Sequence, residues 1–428
     1  MSDPAAHGRG LILSAPASGS GKTTLTLGLL HALARRGHPV RAAKSGPDYI
    51  DPRFHEAACG APCPNLDAWA MTPGRIAALA AGPGTLLIEG AMGLFDGAPP
   101  DGGGATADLA RQLRLPVVLI VDAAAMAGSV APLVQGFARF DPDVTVAGVI
   151  LNRIGSARHE AMLRAALAPT GLPVLGALPR SAGLAHPSRH LGLVQAAERH
   201  DLAAYLARAA DLIEAHVDLG AVLALARPLP AARPGPRTQP PAQRIAIAQD
   251  PAFAFAYPHL LDDWRAGGAE IATFSPLADE AVPAADLVIL PGGYPELHAG
   301  RLSANNIFMQ TLRNASEISD IYGECGGYMV LGDSLTDADG TAHPMAGLLR
   351  LSTSFAARKL HLGYRRVSAA GGPFAGDWAA HEFHYATTLT EAGTPLFTAA
   401  DATGAALAPM GLRQARVAGS FAHLIDRL

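Results

Sequence analysis

Short apolar runs alternate with longer helical patterns through the first half of the chain. The apolar runs at residues 10–15, 85–89, 116–121, 145–151 and 173–177 are each followed by a turn or a helix-like stretch, as in LTLGLLHALARR at 25–36. Strands of this length separated by helical segments predict an α/β sheet with helices on its faces. The rhythm breaks at ARPLPAARPGPRTQPPAQ, residues 226–243, where repeated prolines resist a packed helix. It restarts with RIAIAQD at 244–250 and DLVILPGG at 286–293. The expected organisation is an N-terminal domain over 1–225, a proline-rich linker over 226–243 and a C-terminal domain over 244–428. The two halves carry different signature turns, which argues for two chemical modules and against a duplicated one.

Size and charge sharpen this picture. A chain of 428 residues exceeds one hydrophobic core. A net charge of −4 with 16% charged residues gives no electrostatic reason to expect a nucleic-acid partner. The N-terminus lacks a secretory pattern, and no uninterrupted apolar run of membrane-spanning length occurs. Three scattered cysteines cannot close a disulfide framework, and Cys59 with Cys63 is too sparse for a zinc site. These features predict a cytoplasmic protein without a membrane partner; a homodimer is left open.

The strongest chemical signal in the first half is APASGSGKTT, residues 15–24, between an apolar strand and a helix. Backbone amides of such a loop surround phosphate oxygens, and the following helix N-terminus adds donors. Gly19 and Gly21 supply the small residues, Lys22 the cation and Thr23 a hydroxyl for magnesium, with Thr24 completing the run. Pro16 stands where a strict loop has glycine. Two acidic stretches, KSGPDYIDPRFH and TLLIEGAMGLFDG, follow further β-like runs. Hard carboxylate oxygens suit Mg2+, so Thr23, Asp48 and Glu89 form the expected metal set. Lys44 is expected on transferred phosphate or an anionic substrate, and Tyr49 and His55 shape the same region. Asp122, closing LPVVLIVD, is either a nucleotide-site residue or a structural cap.

The second half centres on GECGG, residues 323–327. Small residues around Cys325 suit a sharp strand-to-helix turn, although a free cysteine is also a common buried filler. LPGGYPE at 290–296 could aim a backbone amide at a developing oxyanion, and HEFHYAT at 381–387 offers an imidazole. Cys325 with His384 makes chemical sense as nucleophile and base. This half resembles class I glutamine amidotransferase domains. The resemblance implies Cys325 and His384 as the catalytic pair, with Gly292, Gly293 and Gly326 at the oxyanion. The position two residues after the base is usually acidic but is Ala386 here, which leaves the group orienting His384 open.

The first half resembles the dethiobiotin-synthetase branch of phosphate-loop proteins. SGSGKTT, KSGPDYIDPRFH, NLDAW, EGAMGLFDG, LPGGYPE, ECGGYM and HEFHY, in this order, make nearly the whole chain similar to cobyrinic and hydrogenobyrinic acid a,c-diamide synthases. Ala15 stands where that family commonly has glycine. The resemblance implies an ATP- and Mg2+-dependent ligase that amidates the a and c acetates of a corrin-ring carboxylic acid, with L-glutamine supplying nitrogen. It also implies an acceptor or intermediate region built from Tyr49, Asp51, Asn65, Asp67, Trp69 and Asp96. The competing expectations are an amidotransferase for a nickel tetrapyrrole or other corrin carboxylates, and a nonenzymatic nucleotide-binding regulator.

Overall fold

The computed structural model describes residues 8–181, 188–189, 192–193, 195–231 and 237–428. Residues 1–7, and residues 232–236 of the expected linker, lie outside the described residues. The chain divides into two compact units, Met1–Ser188 with Leu193–Pro236, and Arg189–Gly192 with Arg237–Leu428.

In the first unit the elements run β1 (Arg9–Ser14), α1 (Lys22–Arg35), β2 (Val40–Ser45), α2 (Asp51–Cys59), β3 (Asn65–Leu66), α3 (Pro73–Ala80), β4 (Thr85–Glu89), α4 (Thr106–Leu113), β5 (Val117–Asp122), α5 (Val130–Arg139), β6 (Val146–Ile154), α6 (Ala157–Leu167) and β7 (Val174–Pro179). The sheet order is β3-β2-β4-β1-β5-β6-β7, and each of these neighbours is parallel. Leu11, Ile12 and Leu13 of β1 and Val117 through Val121 of β5 are fully buried. Such side chains contribute about 1.5–3 kcal/mol each. Burial on both faces of a parallel sheet explains why these strands read as unbroken apolar runs. Because β1 lies between β4 and β5, the order reverses at β1, and the strand ends there form the crevice where open α/β sheets bind ligands. On the covering layer, Gly28 of α1 meets the helix Leu202–His216 closely: a Cβ there would lie 2.6 Å from Ile213 Cγ1 and 2.8 Å from the Ala209 carbonyl.

The second unit carries a ten-stranded sheet in two halves. Its parallel half contains, in order, Glu270–Phe274, Arg244–Ala248, Leu287–Leu290, Asp320–Glu324 and Val417–Ser420. The sheet continues antiparallel through Ala406–Gln414, Thr394–Asp401, His361–Ala369, Gly376–His384 and Ala422–Arg427. Buried Val288, Leu290, Ile321, Tyr328, Leu331 and Phe308 are among the residues packing its core.

Candidate functional site

At the phosphate end, β1 delivers the loop and α1 starts on Lys22. Gly21, the residue before the helix, has φ +90°, and a Cβ there would lie 2.3 Å from Asn152 Nδ2. Conformation and space therefore both require glycine. Asn152, at the end of β6, donates from Nδ2 to the Ser20 carbonyl at 2.9 Å and so holds the loop from beneath. Lys22 Nζ donates to the Met92 carbonyl. Burial lowers its pKa, while Glu89 opposes that effect.

Behind the loop, Thr23 Oγ1 donates to Glu89 Oε1 at 2.7 Å and lies 3.4 Å from Asp51 Oδ2. The Lys44 ammonium sits between the same carboxylates, 2.7 Å from Asp51 Oδ2 and 2.9 Å from Glu89 Oε1. Burial alone would lower Lys44, but Asp51, Glu89 and Asp48 outweigh it and hold the ammonium well above its ordinary value. Burial pushes Glu89 upward, and Lys44 and His55 more than reverse this, keeping it ionised. His55, 2.6 Å from Glu89 Oε2 through Nε2 and from the Asp51 carbonyl through Nδ1, braces both acids.

The expected metal set requires one correction. Asp48 Oδ1 accepts from the amides of Ile50 and Asp51, at 2.8 and 3.0 Å, and thereby caps the start of α2. Its other oxygen is 3.9 Å from Lys44. Burial and the neighbouring Asp51 carboxylate push Asp48 up to about 6, although a third of its side chain is accessible. The acid brought to Thr23 and Glu89 is Asp51, which was expected in the acceptor region. Thr23, Asp51 and Glu89 offer three hard oxygens behind the phosphate loop, a donor set that fits magnesium.

The remaining residues expected here mostly shape loops. Asn65 Nδ2 donates to the carbonyls of Gly46 and Asp48, at 2.8 and 2.7 Å, and Tyr49 is buried. Asp67 Oδ1 accepts from the amides of Trp69 and Ala70, and Asp96 Oδ2 from the amide of Gly93. Trp69 packs against Gly104, where a Cβ would lie 2.6 Å from its own Cβ. Asp122 accepts from the Ala124 amide and pairs with Arg153, so the strand-end cap describes its contacts. Arg153, with Gly21, Thr24, Asn152, Leu178 and Ile213, lines a cavity of about 420 Å³ beside the loop, a size suited to a small-molecule ligand. His55 takes the shaping place expected of it, whereas Asn152 was the position missed: an asparagine near a strand end carries no motif of its own.

At the thiol end, Cys325 sits between the strand Asp320–Glu324 and the short helix Gly326–Leu331, with φ 47° and ψ −104°. A non-glycine residue held there stores backbone strain of order 1–3 kcal/mol. The flanking glycines permit it: a Cβ on Gly327 would lie 1.8 Å from the Leu290 carbonyl, and one on Gly326 3.1 Å from the Gly293 nitrogen. The Gly292–Gly293 turn and the start of the helix are thereby packed beside the thiol. Burial, reinforced by Glu296, pushes the thiol well above its ordinary value.

The imidazole nearest this space is His423, on Ala422–Arg427. A Cβ on Gly292 would lie 2.3 Å from His423 Cε1, 3.1 Å from His423 Nε2 and 3.4 Å from Cys325 Cβ. Glu324, the residue before the thiol, places Oε2 3.6 Å from His423 Nδ1, and its Oε1 accepts from the Leu424 amide at 3.2 Å. His384 is placed differently. Its ring stacks on Phe421 with centroids 3.9 Å apart, its Nε2 is 3.0 Å from Glu382 Oε1, and its Nδ1 is buried without a hydrogen-bond partner. The Gly292 turn thus brings His423 beside Cys325, while the expected base, His384, is engaged with Phe421 and Glu382. The acid orienting His384 precedes it by two residues, where the family pattern had directed attention two residues after. GSFAHLID carries His423 at a strand start, a weak signal beside the double histidine of HEFHY.

Two family models match the halves in which these constellations lie. Residues 11–194 match a CobQ/CobB/MinD/ParA nucleotide binding domain, and residues 244–427 match a CobB/CobQ-like glutamine amidotransferase domain. The chain is 55% identical to the hydrogenobyrinate a,c-diamide synthase of Brucella anthropi, covering 98% of each chain. It is 56% identical to that of Rhizobium meliloti, covering 97% of this chain and 99% of the relative. This chain belongs to the hydrogenobyrinate a,c-diamide synthase family. The same enzyme name is carried by the Rhodobacter capsulatus relative, 53% identical over 97% of this chain and 98% of that one. Membership accounts for the pairing of a phosphate loop with a cysteine elbow: it is an ATP-binding, glutamine-hydrolysing ligase architecture. Among the described residues no helix is long and apolar enough to cross a membrane.

Proposed function

We infer that this chain uses ATP and glutamine to amidate the a and c acetate carboxylates of hydrogenobyrinic acid, a step of cobalamin biosynthesis. The observation that carries the reading is end-to-end similarity, 55% identity across 98% of both chains, to a synthase named for that acceptor. The nickel-tetrapyrrole and regulatory alternatives have no comparable support.

A carboxylate is a poor acyl donor. Its oxygen therefore attacks the γ-phosphorus of ATP, ADP leaves, and the acyl phosphate that results accepts ammonia at carbon and releases phosphate. Lys22 leaves the Met92 carbonyl to contact the transferred phosphate, and the cavity beside Asn152 and Arg153 takes the nucleotide base. Thr23, Asp51 and Glu89 would hold magnesium, which when bound neutralises charge on the phosphates. His55 and Lys44 fix the two acids in place.

In the glutaminase half, Cys325 Sγ attacks the amide carbon of glutamine. The resting thiol is protonated, so His423 must take its proton as the carbon–sulfur bond forms, and it returns that proton to departing ammonia. Glu324 stabilises the imidazolium between those events. The amides of Gly293 and Gly326 receive the oxyanion. Water then cleaves the thioester to glutamate. Mass analysis of reactions containing ATP, Mg2+ and glutamine with hydrogenobyrinic, cobyrinic or nickel-tetrapyrrole acids tests the acceptor. Diamide formation from hydrogenobyrinic acid is expected; exclusive amidation of a nickel tetrapyrrole would overturn the assignment.

A further inference from the structure

HEFHY contributes more than a discarded base. His361, Glu382 and His384 each offer a ligand atom, and these atoms lie within 4.8 Å of one another. The set is built by strand register: His361–Ala369 and Gly376–His384 pair antiparallel with His361 directly opposite His384, while Glu382, two residues back, shares the face of His384. The two imidazoles stack, parallel within 3° with centroids 4.6 Å apart, so the partly exposed His361 ring must turn out of the stack for both nitrogens to meet one ion. We propose that His361, Glu382 and His384 form a binding site for one divalent transition-metal ion of the zinc class, separate from the magnesium set of the phosphate end.

Two features support the site. The 3.0 Å between His384 Nε2 and Glu382 Oε1 is near the ligand–ligand edge of a zinc tetrahedron, roughly 3.3 Å for bonds of about 2.0–2.1 Å. Glu382 Oε2 is held by the Arg365 guanidinium at 2.7 and 2.9 Å, leaving Oε1 for the ion and fixing the carboxylate from outside. Two imidazoles and one carboxylate suit zinc, cobalt, nickel or ferrous ions over magnesium. Three protein ligands leave a coordination position for water or another small ligand. On binding, the ion displaces any proton shared between His384 and Glu382.

The full chain, stripped with a chelator and supplied with excess Mg2+, is titrated with Co2+ while ligand-field absorption is followed, then challenged with Zn2+. One Co2+ per chain, displaced by Zn2+, is expected. His361→Ala and Glu382→Gln should each weaken binding at least ten-fold, whereas His343→Ala, in the separate pair with Asp337, should leave it unchanged. His361 is partly exposed and Glu382→Gln preserves shape, and circular dichroism verifies their folding. No saturable Co2+ binding by the parent chain, or parent-like affinity in both folded ligand variants, would overturn the proposal.

Discussion

At the scale of single residues, the two corrections yield the most discriminating tests. His423→Ala should lower glutamine hydrolysis by about two orders of magnitude or more, the usual range for a positioned acid–base group, and should leave ammonia-dependent synthesis intact. His384→Ala should retain far more glutaminase, because that ring is engaged with Glu382 and Phe421. Steady-state glutaminase rates separate the two. Asp51→Asn should raise the Mg2+ concentration needed for half-maximal synthesis much more than Asp48→Asn, since Asp48 spends one oxygen on two backbone amides. A Mg2+ titration of the synthesis rate checks this. The meeting of Thr23 with Glu89 and the strand-to-helix turn at Cys325 were legible because a phosphate loop, an acid at a strand end and a glycine-flanked cysteine each leave a local pattern. The choice between Asp48 and Asp51, or between His384 and His423, was not. It depends on which side chain a cap or a stacked ring has already claimed, and that is decided in three dimensions.

Among the elements, β1, β4, β5, β6 and β7 of the first unit were readable because burial on both faces leaves runs rich in Leu, Ile and Val, whereas β2, VRAAKS, and the two-residue β3 were not. The antiparallel half of the second sheet was not. His361–Ala369 and Ala406–Gln414 mix charged, small and apolar residues along partly accessible faces, so neither an apolar run nor a clean alternation marks them. The same antiparallel region makes the fold acid-sensitive. His381 stands opposite His423 in the register, and burial, with His423 and Arg365 nearby, lowers it from 6.5 to about 3. Its ring stays neutral in the fold but takes up a proton on unfolding, so the unfolded state binds more protons between these values and stability falls as pH drops from about 6.5 toward about 3. His381→Asn should flatten that part of the stability profile, measured by thermal unfolding of the second unit across pH in the presence of chelator.

For the whole molecule, the two chemistries should separate by nitrogen source. Cys325→Ala should abolish glutamine-dependent amidation while synthesis continues with concentrated ammonium salt, because carboxylate activation belongs to the phosphate loop. Lys22→Ala should suppress synthesis with either source. Product mass with each nitrogen donor, in protein shown to be folded, reads both outcomes. The division of labour was visible in sequence because each unit carries its own signature turn. The elbow at Cys325 has one more consequence, for redox survival. Peroxide and electrophiles attack the thiolate, and a sulfur buried at φ 47° and held as the thiol presents little of that form. An idle enzyme in an aerobic cell should therefore resist conversion of this sulfur to sulfenic acid, keeping its nucleophile reduced between encounters with glutamine.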